Sequence, residues 1–447
     1  MSSTILLAVT LASGPLDAQQ IRAREQPAAD SLGTFVRHSS LGSDSLLRRE
    51  TPSRETVGRA NATTLTSQQS PQGTPPRSGM YMNIGFSGLM DAGWSSTADV
   101  QSLQRGDHDP AVRGFTVPNE EITLDGAVDP YFKGFVDIVY KIDPEGESAL
   151  ELEEAYILTT SLPANLQLKA GQFYTEFGRQ NQQHPHAWVF VDQPLVLNRM
   201  FGPDGMRGQG ARLSWLAPTS WYTEAMVTVQ NSLGETMYSF RSEESSEIHG
   251  GIPAEREVRG GGDMVVVPRL ATSFDLTPTQ TLLLGVSGAF GPNNSGASNR
   301  TSVYGADLYW RWKSATAGQG FPFFSLQSEV LYRRYGAAER EAIDQATVTL
   351  PRETIGDRGA YTQVLWGIRP RIVAGLRAEV ASGNTTSFDS ELRADRTRIS
   401  PNFTLYPSEF SKVRLQYNYD DRKGIGRDHS IWLQFEFILG AHAAHRF

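Results

Sequence analysis

The sequence predicts an all-β chain, a transmembrane antiparallel β-barrel of about sixteen strands, and three observations point to it. From Met80 onward, segments of roughly ten residues alternate apolar and polar side chains, which is the period of a strand and the length a tilted strand needs to cross a bilayer. Short turns and long polar connections alternate along the chain, the asymmetry of barrels in an outer membrane. Trp and Tyr collect beside the short turns, where amphipathic rings meet lipid head groups.

The alternation is clearest in SKVRLQYNYD, Ser411 to Asp420. Val413, Leu415, Tyr417 and Tyr419 share one face; Lys412, Arg414, Gln416, Asn418 and Asp420 share the other. Similar segments are EITLDGAVD from Glu121, YFKGFVDIVYK from Tyr131, GARLSWL from Gly210, YGADLYWRWK from Tyr304, RIVAGLRAEV from Arg371 and SIWLQFEF from Ser430. Short turns are expected at Asp129-Pro130, SLPAN, APTS, TPTQ, Arg369-Pro370 and PSEF. Longer, Gly-rich connections are expected near residues 94–119, 179–209, 233–263, 336–358 and 383–396. The short link DPEGES, Asp143 to Ser148, joins the long class by parity. Trp215, Trp221, Trp310, Trp312, Trp366 and Tyr406 lie near the short turns. An aromatic rim of that kind sets the apolar faces toward lipid, so Lys412, Arg414, Gln416 and Asn418 should line water inside.

Composition sets the outer limits. The 447 residues carry a net charge of -8 and no Cys. Mild acidity argues against nucleic acid as a partner, and a chain without thiols has neither disulfides nor a thiolate metal site. Residues 1–18 read as a secretory signal peptide, with an apolar stretch from Ile5 to Ala12 and a cut after Ala18. Residues 19–79, rich in Ser, Thr, Gln, Arg and Pro, read as disordered, because they offer too little apolar surface to offset ordering entropy. The barrel then occupies residues 80–447.

The stretch EEAYILTTSLPANLQLKAGQFYTEFGRQ, Glu153 to Gln180, resembles the core motif of the phosphate-selective porin O/P-like family, in which an E-x-Y strand is followed by L-x-x-G-x-F and a closing F-G. QHPHAWVFVDQPLV, Gln183 to Val196, and the ending GAHAAHRF resemble uncharacterised outer-membrane proteins often labelled TonB-dependent receptors. The terminal Phe447 resembles the signature read by outer-membrane assembly machinery. A receptor barrel needs about 22 strands and a plug, more than residues 80–447 supply, so the receptor mechanism is set aside. The resemblance implies a porin in the outer membrane of a Gram-negative bacterium, a water-filled channel for passive diffusion of small hydrophilic or charged solutes. The partners it implies are membrane lipid, small solutes or ions, the assembly machinery and further copies of the chain in a homotrimer. The alternative is a non-conducting anchor or adhesin that presents its long loops to a partner.

No enzyme motif is present: G-x-S-x-G, the phosphate loop and H-E-x-x-H are all missing, and no cofactor is expected. His184, His186 and Asp192 form a weak metal set. On the polar faces, Glu121, Asp125, Asp137, Glu151 and Glu153 make the early strands acidic despite Lys133 and Lys141. Arg311, Lys313, Arg333, Arg371, Arg377, Arg398, Lys412 and Arg414 make the later strands basic despite Asp307, Glu329, Glu379 and Asp420. These charges are expected to line the pore and to set a transverse field across it. Residues 179–209 carry Trp188, Phe190, Val191, Leu195, Leu197 and Met200, which are costly to leave in water. The segment is expected to fold against the inner wall as a constriction built on Trp188, Asp192, Arg199, Asp204 and Arg207, the last four facing the basic strands. The alternative is an external lid packed on neighbouring loops.

Overall fold

A computed structural model describes residues 80–440 apart from 128, 255–257, 319, 344–346 and 389. The expected signal peptide, the expected disordered segment and the terminal Phe447 lie outside the described residues. Sixteen antiparallel strands close into one barrel. In chain order they are β1 (Tyr81–Ser95), β2 (Gly114–Ala127), β3 (Phe132–Ile142), β4 (Ser148–Thr159), β5 (Leu166–Tyr174), β6 (Arg207–Leu216), β7 (Tyr222–Asn231), β8 (Met264–Thr277), β9 (Gln280–Pro292), β10 (Arg300–Gly318), β11 (Phe321–Ala337), β14 (Glu353–Arg369), β15 (Ile372–Gly383), β16 (Arg396–Ser408), β17 (Ser411–Arg422) and β18 (Gly426–Gly440). Two short strands, β12 (Arg340–Glu341) and β13 (Thr349–Leu350), form a separate pair in the β11–β14 connection.

Closure is made by β1 against β18, from Gly85 opposite Gly440 to Ser95 opposite Ser430. It leaves no strand edge, so the barrel's backbone donors and acceptors are satisfied by neighbouring strands. Turns of two to six residues join strands at the end that holds the start of β1 and the end of β18. The longest connections, 175–206 and 232–263, leave the other end. The parity expected from the sequence holds, including the short 143–147 link at the long-loop end.

The two faces of each strand are inverted relative to a soluble protein. On β17, Leu415 and Tyr417 are exposed, while Lys412, Arg414, Gln416, Asn418 and Asp420 are buried. Leu415 pairs with Phe403 on β16 and Leu433 on β18, which are also exposed, so the outer surface is a continuous apolar band. Trp215, Trp221 and Trp366 stand on that surface near the turns. Tyr406 does not join them: it turns inward and packs on Phe321, Phe323 and Val373.

The inward charges are not wetted as the alternation suggests. Arg333, Arg377 and Arg414 are among the largest fully buried side chains of the molecule. Apolar residues also meet inside the barrel, where Phe177, Val196, Leu197, Met200, Phe201 and Met206 pack on Val265, Val267, Ala289, Val303, Leu331 and Tyr361 of the wall. The first six belong to the segment between β5 and β6, so the interior holds a protein core rather than an open water column.

Because the outer face is apolar, Leu415→Arg, near mid-strand, should destabilise the barrel in lipid by about 2 to 4 kcal/mol. Asn83→Lys is expected to fold like the parent, since Asn83 faces inward with its Nδ2 3.3 Å from Asp125 Oδ2. Gln416→Arg, tolerable by alternation alone, is instead expected to be damaging, because Gln416 is fully buried and donates to Asp192 at 2.8 Å. Urea unfolding of the three variants in vesicles checks this order.

Candidate functional site

The chain leaves β5 through Thr175 and turns inward at Gly178, where φ is 63° and an added Cβ would collide with the Glu329 carboxylate. From there, residues 175–206 stay inside the barrel and touch most of its circumference. Gly178 N donates to Ser287 on β9 at 3.1 Å, and Gln180 N donates to Glu329 on β11 at 2.8 Å. The Arg179 guanidinium lies 4.0 Å from the centre of the Tyr309 ring on β10.

The segment then crosses to β2, β3 and β4. His184 Nδ1 lies 3.5 Å from Glu121 Oε1, 3.0 Å from Asp137 Oδ2 and 3.1 Å from Glu153 Oε2. Its Nε2 lies 2.8 Å from Glu154 Oε2. His186 Nδ1 is 2.6 Å from Glu121 Oε2. Burial disfavours a charge on His184, but Asp137 and Glu121 outweigh it and hold its pKa well above the ordinary histidine value. The same competition raises His108, whose Nε2 sits 3.0 Å from Glu153 and 3.1 Å from Asp204.

Beyond His186 the backbone runs along the basic strands. Lys412 donates to His186 O at 2.7 Å, Arg414 to Trp188 O at 2.8 Å, and Asn402 to Val189 O at 2.8 Å. Asp192 then accepts from Arg377, from Gln416 at 2.8 Å and from Asn418 at 3.0 Å, with Arg398 Nη1 at 3.0 Å. Burial acts to raise the Asp192 pKa, but Arg398 and Arg377 more than compensate, so it falls below the ordinary aspartate value. Its charge in turn adds to burial in pushing Asp109 up to about 6. Leu195 N donates to Glu379 on β15 at 2.9 Å and opens α1 (Leu195–Phe201), which packs on β11, β14 and β15.

The segment therefore lies against the inner wall rather than outside it on neighbouring loops. Trp188, Asp192, Arg199 and Arg207 are buried, and Asp204 is half-buried. Two of the four charged residues face an unexpected wall. Arg207 pairs with Glu151 and Asp204, and its Nη1 lies 3.6 Å from Glu153, so Asp204 and Arg207 meet the acidic strands rather than the basic ones. Chain direction explains this, because after α1 the segment must return to β6, which pairs with β5 and lies one strand from β4.

The inward charges sort as follows. Arg333 pairs with Asp357 at 2.6 Å, Lys412 with Glu436 at 2.5 Å, and Arg398 with Glu379 at 2.6 Å. The basic wall is thus engaged by carboxylates and by the inserted segment. Arg311 and Lys313 are half-buried toward the turn end, Arg311 over the Phe323 ring. Asp125 and Glu151 are half-buried; Glu121, Asp137 and Glu153 are buried. Lys141 pairs with Asp107 and Glu151, whereas Lys133 is exposed. Arg371 is a correction: it is exposed in the turn between β14 and β15 with φ 72°, because the short connection needs a left-handed residue there. The metal set His184, His186 and Asp192 is a second correction, since Asp192 is held by arginines while the two histidines face carboxylates.

Alternation missed Glu154 and His108. A register shift between β3 and β4 sets Asp137 opposite Glu154 and Ile138 opposite Leu152, leaving Glu153 as the extra residue of a bulge. Both Glu153 and Glu154 therefore point inward, and the signal in the sequence is the adjacent pair itself. His108 arrives from the β1–β2 connection, which carries no period.

Two cavities flank the inserted segment. One, toward the turn end, is bordered by Glu176, Arg179, Arg212, Glu224 and Arg269. A smaller one, toward the long-loop end, is bordered by Gln104, Asn198, Arg199 and Arg396.

No family model matches the sequence. Among solved structures, the outer membrane channel DcaP of Acinetobacter baumannii is 14% identical with a TM-score of 0.51, covering 82% of this chain and 99% of that one. An anion-selective porin from Comamonas acidovorans is 8% identical with a TM-score of 0.49, covering 80% of this chain and 100% of that one. The likeness to DcaP is one of fold, a porin-like barrel. An uncharacterized protein of Aquifex aeolicus (strain VF5) is 30% identical over 358 residues, 75% of this chain and 70% of that protein. The chain belongs to the same family as that Aquifex protein, and its fold is a closed, porin-like barrel of sixteen strands.

Proposed function

We propose that the chain is an outer-membrane channel through which small hydrophilic or charged solutes diffuse passively, with residues 175–206 acting as an internal constriction. The observation that carries this reading is the placement of that segment inside a barrel with an apolar exterior, between a cavity toward each end. An aqueous path is built from polar inner faces, and a fixed loop across it sets the size and charge of what passes. The walls the loop meets are unlike: carboxylates of β2–β4 on one side, arginines of β15–β17 on the other. A solute crossing between them would meet a transverse field.

The resemblance of Glu153–Gln180 to phosphate-selective porin O/P-like barrels supports the same reading. With this reading go export by residues 1–18, insertion through machinery that recognises Phe447, and assembly as a homotrimer. The second reading, a non-conducting anchor, is favoured by how completely the segment is bonded to its surroundings, and conductance separates the two.

In planar bilayers the intact chain should give discrete single-channel openings, and deletion of residues 181–198 should raise conductance and lower solute discrimination. Unchanged conductance from a folded deletion variant would overturn the constriction. Absence of openings in both proteins would leave the anchor.

Orientation is tested by labelling single introduced cysteines in intact cells. Lys423→Cys, at the long-loop end and 79% exposed at its side chain, should react with an impermeant thiol reagent. Thr219→Cys, in a short turn, should not; the opposite pattern reverses the topology.

Asp192→Asn tests the lock between segment and wall. Losing the charge leaves Arg377 and Arg398 with Glu379, so the barrel should persist while amide exchange at Val191, Gln193 and Leu195 speeds up. The depressed aspartate pKa means the lock is present above the ordinary aspartate range and is lost only as pH falls below it. Exchange at these amides should therefore stay slow down to about pH 4 in the parent protein.

A further inference from the structure

The contact between His184 and the early strands has more ligand atoms than protons. A ring nitrogen carries at most one hydrogen, which points along one line. Nε2 of His184 is directed at Glu154 Oε2, at 2.8 Å. Nδ1 nonetheless has three carboxylate oxygens around it, at 3.0, 3.1 and 3.5 Å, from Asp137, Glu153 and Glu121. Asp137 is wholly buried, and its Oδ1 has no hydrogen-bond partner among the described residues. Glu121 Oε1 is likewise without a hydrogen bond, because its donors Ser87, Asn119 and His186 all serve Oε2. The nearby cations also face away. Arg207 and His108 approach Glu153 at Oε1 and leave Oε2 turned toward His184. Buried carboxylates without compensation are strongly disfavoured.

We propose that Glu121, Asp137, Glu153 and His184 bind a divalent first-row cation, such as Mn2+ or Zn2+, which fastens the inserted segment to the barrel wall. A cation bonded at about 2.0 to 2.2 Å to oxygen and nitrogen ligands sets those ligand atoms roughly 3 to 3.5 Å apart, the spacing found around Nδ1. The ligand atoms of Glu121, Asp137 and His184 all lie within 4.8 Å of one another. One imidazole with three carboxylates suits Mn2+ or Zn2+ better than Ca2+ or Mg2+, which prefer all-oxygen shells. The surroundings are also those of a metal site. Glu154 takes the far N–H of the ligating histidine and so fixes the tautomer that leaves Nδ1 free to bind, while His186 holds Glu121 in place. The β4 bulge makes this arrangement reachable, since it turns a ligand and its partner, Glu153 and Glu154, to the same side. Three ligands come from β2, β3 and β4, and the fourth from the segment, so the ion would cross-link wall and constriction. The site stands independently of whether the barrel conducts.

The test uses the purified full-length chain, stripped with chelator, dialysed, and titrated with Mn2+ alone at neutral pH. Electron paramagnetic resonance should show one Mn2+ per chain, with nitrogen modulation from a single imidazole in the spin echo, and Zn2+ should displace it. Glu121→Gln with Asp137→Asn should weaken binding about tenfold or more, with the barrel's circular dichroism unchanged. Amide exchange over 181–187 should slow when Mn2+ is added to the parent. Absence of stoichiometric binding, bound Mn2+ without nitrogen modulation, or full affinity in the double variant would each overturn the site. If the double variant does not fold, the spin-echo measurement on the parent protein decides. A protonated-carboxyl infrared band that Asp137→Asn removes and Mn2+ leaves in place would mean that Glu121 and Asp137 share a proton instead.

Discussion

A charge removed from water must find an opposite charge or a set of hydrogen bonds, and that constraint organises the inside of this barrel. Once the apolar faces of sixteen strands turn outward, their Arg, Lys, Asp and Glu residues must turn inward. Left to water they would line an open tube. Instead, residues 175–206 enter and supply carbonyl oxygens to Lys412 and Arg414, a carboxylate to Arg377 and Arg398, and backbone amides to Glu329 and Glu379. Removing one partner of such a buried pair costs on the order of 3 to 5 kcal/mol, because the other is left without compensation. The wall and the segment therefore depend on each other.

The segment divides its own labour by composition. Its first part, through His186, is largely polar and meets carboxylates; α1 is apolar, packs on β11, β14 and β15, and joins Phe177 and Met206 in one core with Val265, Val267, Ala289, Val303, Leu331 and Tyr361 of the wall. Burying each large apolar side chain against that wall contributes roughly 1.5 to 3 kcal/mol. The wall has complementary sectors: acidic on β2–β4, apolar side chains among paired charges on β8–β14, basic on β15–β17. A peptide with the matching order of side chains has one register in which all three are satisfied. Specific position, rather than mere occupancy of the lumen, follows from that match.

A constriction held this way is a fixed filter in the channel reading. The arginines facing Asp192 lower its pKa against the effect of burial, and Asp204 and Glu153 raise that of His108 against the same effect. Both shifts come from partners the fold supplies, and in the channel reading those charges would set a field across the lumen.

By itself the sequence determined the barrel. Period-two alternation assigned the faces of β17 residue by residue, and the parity of short and long connections settled strand number and the common end of the termini, because both signals are local and repeat along the chain. It also marked residues 179–209 as apolar enough to need cover, and most of the inward charges. What only the tertiary structure decided was partnership. That Asp192 meets Arg377 and Arg398, that Asp204 and Arg207 turn instead to the acidic strands, and that His184 lands among Glu121, Asp137 and Glu153 all depend on strands far apart in the chain being brought to one place by closure. Glu154 escaped because a one-residue bulge reverses alternation beyond it, and Arg371 was misplaced because a turn residue has no face. Periodicity reports which side of a sheet a residue occupies; it carries no information about what stands across the lumen.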